Sequence, residues 1–199
     1  MKYDYWHWSK HLSTKNIKAI NKKIKTDSII RKDNSANSTK TSKVKFIKYS
    51  IIKPYLQNCI ENCYKINSQV FGYNLHYFND DYVCLYNIYS KNSEYNWHID
   101  SARTDEEDIK FTILINLSEK KYKGGELQYW VNEKPQTIKA LSHSGDIVMF
   151  KSFFLHKVTP IISGERITLS LFLTGPKFQL IYIIIFGTFN LLFLLESVI

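Results

Sequence analysis

Cysteine is scarce in this chain of 199 residues. There are three, Cys59, Cys63 and Cys84. An odd number, beside an N-terminal stretch "MKYDYWHWSK" that lacks the apolar run of a secretion signal, argues against a disulfide framework. Reduced thiols and a cytoplasmic location are the expectation. Cys59 and Cys63 are four apart, but no further Cys or His pair nearby completes a zinc pattern. Glycine and proline are also few, seven and four, against 14 Tyr and 12 Phe. That aromatic load suits strands better than long helices. No internal repeat is present, which sets aside solenoids and propellers.

The length fits one domain that can bury a full core without staples. Hydrophobic residues make up 44% and charged residues 23%, as in ordinary globular proteins. The net charge of +9 raises nucleic acid as a partner. The lysines form no clear stripe, so a solvated basic surface is the better reading and nucleic acid is not expected. One long uncharged run stands out, "FQLIYIIIFGTFNLLFLL", Phe178 to Leu195. Its 18 residues lie at the low limit for a membrane span, and Gln179, Thr188 and Asn190 interrupt it. A tail anchor, a docked apolar helix and an aberrant end all stay open. Membrane association is expected only through this tail, residues 178–195.

The first third reads as helical. "STKNIKAINKKIK" spaces Ile17, Ile20 and Ile24 along one face behind the N-cap candidate Ser13. A Ser/Asn/Thr/Lys-rich loop follows, then a possible short strand "VKFIKYS". A second helix, "KPYLQNCIENCYKINSQ", has Pro54 in its first turn. From Phe71 the texture changes. "YNLHYFN", "YVCLYNIYS", "YNWHID", "IKFTILINL", "GELQYWV", "QTIKAL", "DIVMF", "FLHKVTPI" and "RITLSLFL" are short, aromatic or β-branched, and separated by turns. Such a series reads as a sandwich or barrel. The organisation is an N-terminal helical support region 1–70, a β-domain 71–178 and an apolar tail 179–199.

Within "YNWHID", His98 and Asp100 are two apart, so an extended strand aims both to the same side, with Trp97 on the other. His156 follows far downstream in "DIVMFKSFFLHKVTPI". In a jelly roll, strands distant in sequence face each other across the interior. Two imidazoles and one carboxylate so placed form the facial triad suited to Fe(II), with positions left open for a co-substrate and dioxygen. Arg166 lies ten residues beyond His156, after the turn "ISGE" in which Gly164 supplies the flexible backbone. A hairpin there returns Arg166 toward the His156 strand. A buried guanidinium calls for a carboxylate partner. Thr168 and Ser170 share its face and can add hydrogen bonds. A dicarboxylate chelating iron at one end and pairing Arg166 at the other fits this set.

The stretches "YSKNSEYNWHID", "YKGGELQYW", "SGDIVMFKSFFLHKVTPI" and "SGERITLSLFLTGPKF" together resemble the 2-oxoglutarate and Fe(II)-dependent oxygenase superfamily, within it the prolyl-4-hydroxylase-like and bacterial PKHD-type hydroxylases. The resemblance covers residues 82–178. It implies a mainly β fold, a double-stranded β-helix (jelly roll) with the N-terminal helices packed on it. It implies iron ligands at His98, Asp100 and His156, which are the catalytic set. It implies Arg166 as partner of the far carboxylate of 2-oxoglutarate. Tyr89 is the matching position for a co-substrate-lining tyrosine, and Tyr95 is a second candidate. The implied reaction is hydroxylation of a C–H bond with release of succinate and carbon dioxide, using Fe(II), 2-oxoglutarate and O2, with L-ascorbate as a further ligand of such proteins. The implied substrate is a peptidyl prolyl or similar side chain of a peptide or protein, with small molecules as an alternative. A departure is the missing glycine in "SKNSE" before the HxD motif. Two readings of other classes stand beside this one: a jelly-roll module that binds a metal or small acid without catalysis, and a membrane-tethered recognition domain.

Overall fold

A computed structural model describes residues 4–27, 39–100 and 106–178, and the backbone of a two-residue strand pair, Ile181–Tyr182 with Leu194–Leu195. Most of the apolar tail lies outside the described residues, as does most of the polar loop after the first helix. No helix among the described residues is long and apolar enough to cross a membrane.

In chain order the elements are β1 (Tyr5–Trp8), α1 (Thr14–Asp27), β2 (Lys43–Lys48), α2 (Tyr49–Ile66), β3 (Val83–Tyr89), β4 (Tyr95–His98), β5 (Glu107–Asn116), β6 (Lys123–Gly124), β7 (Leu127–Val131), β8 (Lys134–Ile138), β9 (Ile147–Lys151), β10 (His156–Val158), β11 (Ile161–Ser163) and β12 (Arg166–Pro176). Six strands form an antiparallel major sheet in the order β1-β9-β5-β12-β3-β2. Four form a minor sheet, β4-β10-β7-β8, and β6 pairs with β11. Neighbours in the sheets are far apart in sequence, so the two sheets are wound together as in a double-stranded β-helix.

Period-2 alternation divides the major sheet into two unlike faces. Phe111, Ile113 and Ile115 of β5, Leu169, Leu171 and Leu173 of β12, and Cys84 and Tyr86 of β3 share one core with Ile17, Ile20 and Ile24 of α1 and Ile52, Leu56, Cys59 and Cys63 of α2. The helices cover this face because each brings an apolar stripe of the same kind. The other face carries Thr112 on β5, Arg166, Thr168 and Ser170 on β12, and Asn87 on β3, all buried. A row of buried polar side chains is costly unless each meets a partner or a ligand. The inner face therefore marks where chemistry is placed.

The sequence-predicted helices and most strands form as expected, with three differences. "YNLHYFN" is not a strand: residues 72–79 run as irregular chain. Asn67 takes both backbone groups of Tyr73, donating to its carbonyl (2.8 Å) and accepting from its N–H (3.0 Å), while the His76 N–H bonds the Thr174 carbonyl. Helix α2 begins at Tyr49, so Pro54 is its sixth residue rather than part of its first turn. The Tyr49 and Ser50 amides donate to the Tyr82 and Asp80 carbonyls, which fixes that earlier start. The N-terminal region is also not wholly helical. It supplies both edge strands of the major sheet, β2 at the foreseen "VKFIKYS" and β1 paired with β9.

Candidate metal centre and co-substrate cavity

The backbone of β4 places His98 directly opposite His156 of β10. Asp100 lies just past β4, where its N–H donates to the Ser152 carbonyl at 2.9 Å. One ligand atom from each of the three residues falls within 4.8 Å of the others. The Asp100 carboxylate faces both rings, Oδ1 at 3.7 Å from His98 Nε2 and Oδ2 at 3.4 Å from His156 Nε2.

The rings are held from behind. Nδ1 of His98 lies 2.7 Å from the Asn96 carbonyl, and Nδ1 of His156 lies 2.8 Å from the Phe154 carbonyl. A carbonyl only accepts, so both Nδ1 atoms carry the proton and both Nε2 lone pairs point at the shared space. Burial, followed by the neighbouring His156, lowers the His98 pKa to about 4, so the ring is neutral and able to ligate. Burial pushes the Asp100 carboxyl up. The two facing histidines and the Thr112 hydroxyl outweigh this and hold it below its ordinary value. The Thr112 hydroxyl donates to Asp100 Oδ2 at 2.7 Å. Two neutral imidazoles and one oriented carboxylate on one side of a small space fit Fe(II).

A cavity of about 80 Å³ adjoins this triad. Its lining includes Arg166, Thr168, Tyr89, Asn87 and Lys40 along with the three ligands. Arg166 is 1% exposed, and its Nε and Nη2 have no hydrogen-bond partner among the described residues. Its guanidinium carbon lies 5.3 Å from the centre of the Tyr89 ring, opposite it across the β12–β3 pair. Burial raises the Tyr89 phenol, against the pull of the Arg166 charge, so it faces the cavity as a neutral hydroxyl. Gly125 makes room for the arginine. A Cβ at that position would come within 2.7 Å of Arg166 Cδ. A carboxylate-bearing ligand fits this end, since a guanidinium buried without a partner is costly and a bidentate carboxylate would satisfy it.

The structure brings together every candidate named from the sequence: His98, Asp100, His156, Arg166, Thr168 and Tyr89 line one cavity. Tyr95 lines the same cavity and also stacks on the His98 ring, at 3.4 Å between centroids. Trp97 points away and packs edge-on against Trp130. Sequence reasoning missed Thr112, Asn87 and Lys40. Thr112 carried a faint signal, a lone hydroxyl inside the apolar run "KFTILI" on the same strand face as Leu114 and Asn116. Lys40 carried none.

Residues 84–174 match the model of the 2OG-Fe(II) oxygenase superfamily. A PKHD-type hydroxylase of Shewanella baltica is 35% identical over 94 residues, covering 43% of this chain and 39% of that protein. Another, from Alteromonas mediterranea, is 33% identical over 90 residues, 41% of this chain and 38% of that protein. The chain thus spans about two fifths of the length of the curated relatives it matches. A solved prolyl-4-hydroxylase of Pseudomonas putida superposes with a TM-score of 0.69 at 17% identity, over 88% of this chain and 95% of that one. Fold and site together define a double-stranded β-helix protein with a facial-triad centre. Residues 84–174 are thus similar to the 2OG-Fe(II) oxygenase superfamily and, in part, to the PKHD-type hydroxylases.

Proposed function

We propose that this protein is an Fe(II)- and 2-oxoglutarate-dependent dioxygenase that hydroxylates an unactivated C–H bond. The observation that carries the reading is the buried Arg166, with two nitrogens unpartnered among the described residues, in the same cavity as the triad. His98, Asp100 and His156 would hold the metal, and their Nδ1 contacts and Thr112 fix their directions. Arg166 would hold the far carboxylate of 2-oxoglutarate, with Thr168 and Tyr89 lining its path. When bound, iron supplies the oxidising chemistry, in which 2-oxoglutarate, dioxygen and R–H become succinate, carbon dioxide and R–OH. The chain's own residues orient the co-substrate and shield the site: Tyr95 covers His98, and Phe150 closes on His156 at 4.8 Å between ring centres.

A peptide or protein side chain, prolyl or similar, is the favoured substrate. The support is likeness to the prolyl-4-hydroxylase fold and to the PKHD-type relatives. Ile99 and Leu155, each next to a ligand in sequence, are 49% and 39% exposed and offer apolar surface beside the centre. Anaerobic titration with Fe(II) and then 2-oxoglutarate tests the reading through the visible absorption of the chelate. The band is expected in the wild type and absent in His156→Ala. A folded, iron-loaded wild type with no band would overturn it.

A further inference from the structure

Lys40 lies outside the region that matches the oxygenase model, yet it lines the same cavity as the triad and Arg166. Its backbone explains how it arrives there. The Thr41 N–H donates to the Glu94 carbonyl (3.0 Å), the Asn96 N–H donates to the Thr39 carbonyl (2.6 Å), and Lys40 bridges Tyr95. This short segment adds an edge to β4, the strand that carries His98. Side chain and strand are tied together as well: the ammonium lies 5.0 Å from the centre of the Tyr95 ring, and that ring stacks on His98.

The ammonium also donates to Asn87 Oδ1 at 2.6 Å. Asn87 is 2% exposed, and its amide nitrogen is engaged by Ser170 Oγ (3.0 Å) and the Leu85 carbonyl (3.1 Å), so its oxygen is directed to Lys40. On β3, Asn87 stands two residues from Tyr89, the residue opposite Arg166. Two residues along a strand span about 7 Å. The cavity therefore has a cation at each of two levels, one on the metal side beside His98 and one on the far side. A ligand with an anionic group at each end matches that arrangement in sign.

We propose that Lys40 is a second cationic residue of the co-substrate site, holding the metal-side carboxylate of a 2-oxo acid while Arg166 holds the far one. This rests on the oxygenase reading and assigns a part to a residue outside the matched domain. An ammonium donates up to three hydrogen bonds, so it can keep Asn87 and still meet a carboxylate oxygen.

The test is calorimetric titration of Mn(II)-loaded full chain with 2-oxoglutarate and with 2-oxobutyrate, which keeps the oxo-acid end and lacks the far carboxylate. Lys40→Met is expected to weaken both acids by about tenfold, the size of one charge-assisted hydrogen bond. Lys40→Gln, which keeps a donor without the charge, should lie between. Arg166→Met should weaken 2-oxoglutarate and leave 2-oxobutyrate unchanged. Lys43→Met, the same charge change at an exposed site, is the control and should match the wild type. Unchanged binding of both acids by Lys40→Met overturns the proposal and leaves the oxygenase reading standing. Weakening of 2-oxoglutarate alone puts Lys40 at the far end and also overturns it. A wild type that binds metal but no 2-oxoglutarate removes both.

Discussion

Thr112 is the residue whose part is easiest to isolate. Its hydroxyl donates to Asp100 Oδ2 and lies 3.1 Å from Ser152 Oγ, inside the sheet. It touches no proposed metal position, so it acts only through the carboxylate. Thr112→Val keeps the shape and removes the donor. Loss of such an outer partner weakens metal binding by about 10- to 100-fold. Competition with a chelating dye for Mn(II) measures this, and an unchanged affinity would show that the backbone alone orients Asp100. At this scale the ligands were legible before any fold was known. HxD, a distant histidine and an arginine ten residues on are chemical types that suit one metal and carboxylate site together. Thr112 and Lys40 were not legible, because their meaning comes from neighbours more than ten and fifty residues away in sequence. No local pattern reports that a lysine before β2 will reach the tyrosine of β4 that stacks on His98.

Elements show where local pattern and tertiary bonding disagree. β12 reads as a strand in the sequence and is one, but its alternation has an unusual sense. Leu169, Leu171 and Leu173 face the helices, while Arg166, Thr168 and Ser170 face inward and are buried as well. Alternation of apolar and polar residues ordinarily implies one wet face; here the polar face lines a cavity. "YNLHYFN" alternates too, yet forms no strand. Its Tyr73 is clamped by Asn67 at the end of α2, where Gly72 turns the chain with φ of +75°. Gly175 of β12 lets the Asn74 carbonyl pass close above it, where a Cβ would collide. Asn67→Ala removes two buried hydrogen bonds to the Tyr73 backbone. A loss of about 2–4 kcal/mol in urea unfolding is expected. A loss below the error of the extrapolation would mean that water takes over both bonds and that the clamp is not what holds this segment off the sheet.

The whole molecule is organised by the major sheet, which has a helical side and a chemical side. One core joins α1, α2 and the outer face of β3, β5, β9 and β12. β3, β5 and β12 carry the cavity on their inner face, so helix packing and site geometry are two consequences of one set of backbones. The N-terminal region is tied in further by its edge strands and by Asn21, which bonds the Leu117 carbonyl (3.1 Å) and accepts from the Tyr86 hydroxyl (3.0 Å). A helical support that was merely appended would unfold by itself and leave the centre intact. The continuous core argues for one cooperative unit. Leu56→Ala, on α2 and wholly buried, should cost about 2–5 kcal/mol, although the site lies on the opposite side of the sheet. In that variant, loss of far-UV circular dichroism and loss of Mn(II)-dependent 2-oxoglutarate binding should follow the same urea curve, shifted together from the wild type. Two separated transitions, with binding surviving the loss of helix signal, would show that the β-helix holds its centre without the helices, and the shared core would then be a surface of contact between two folding units.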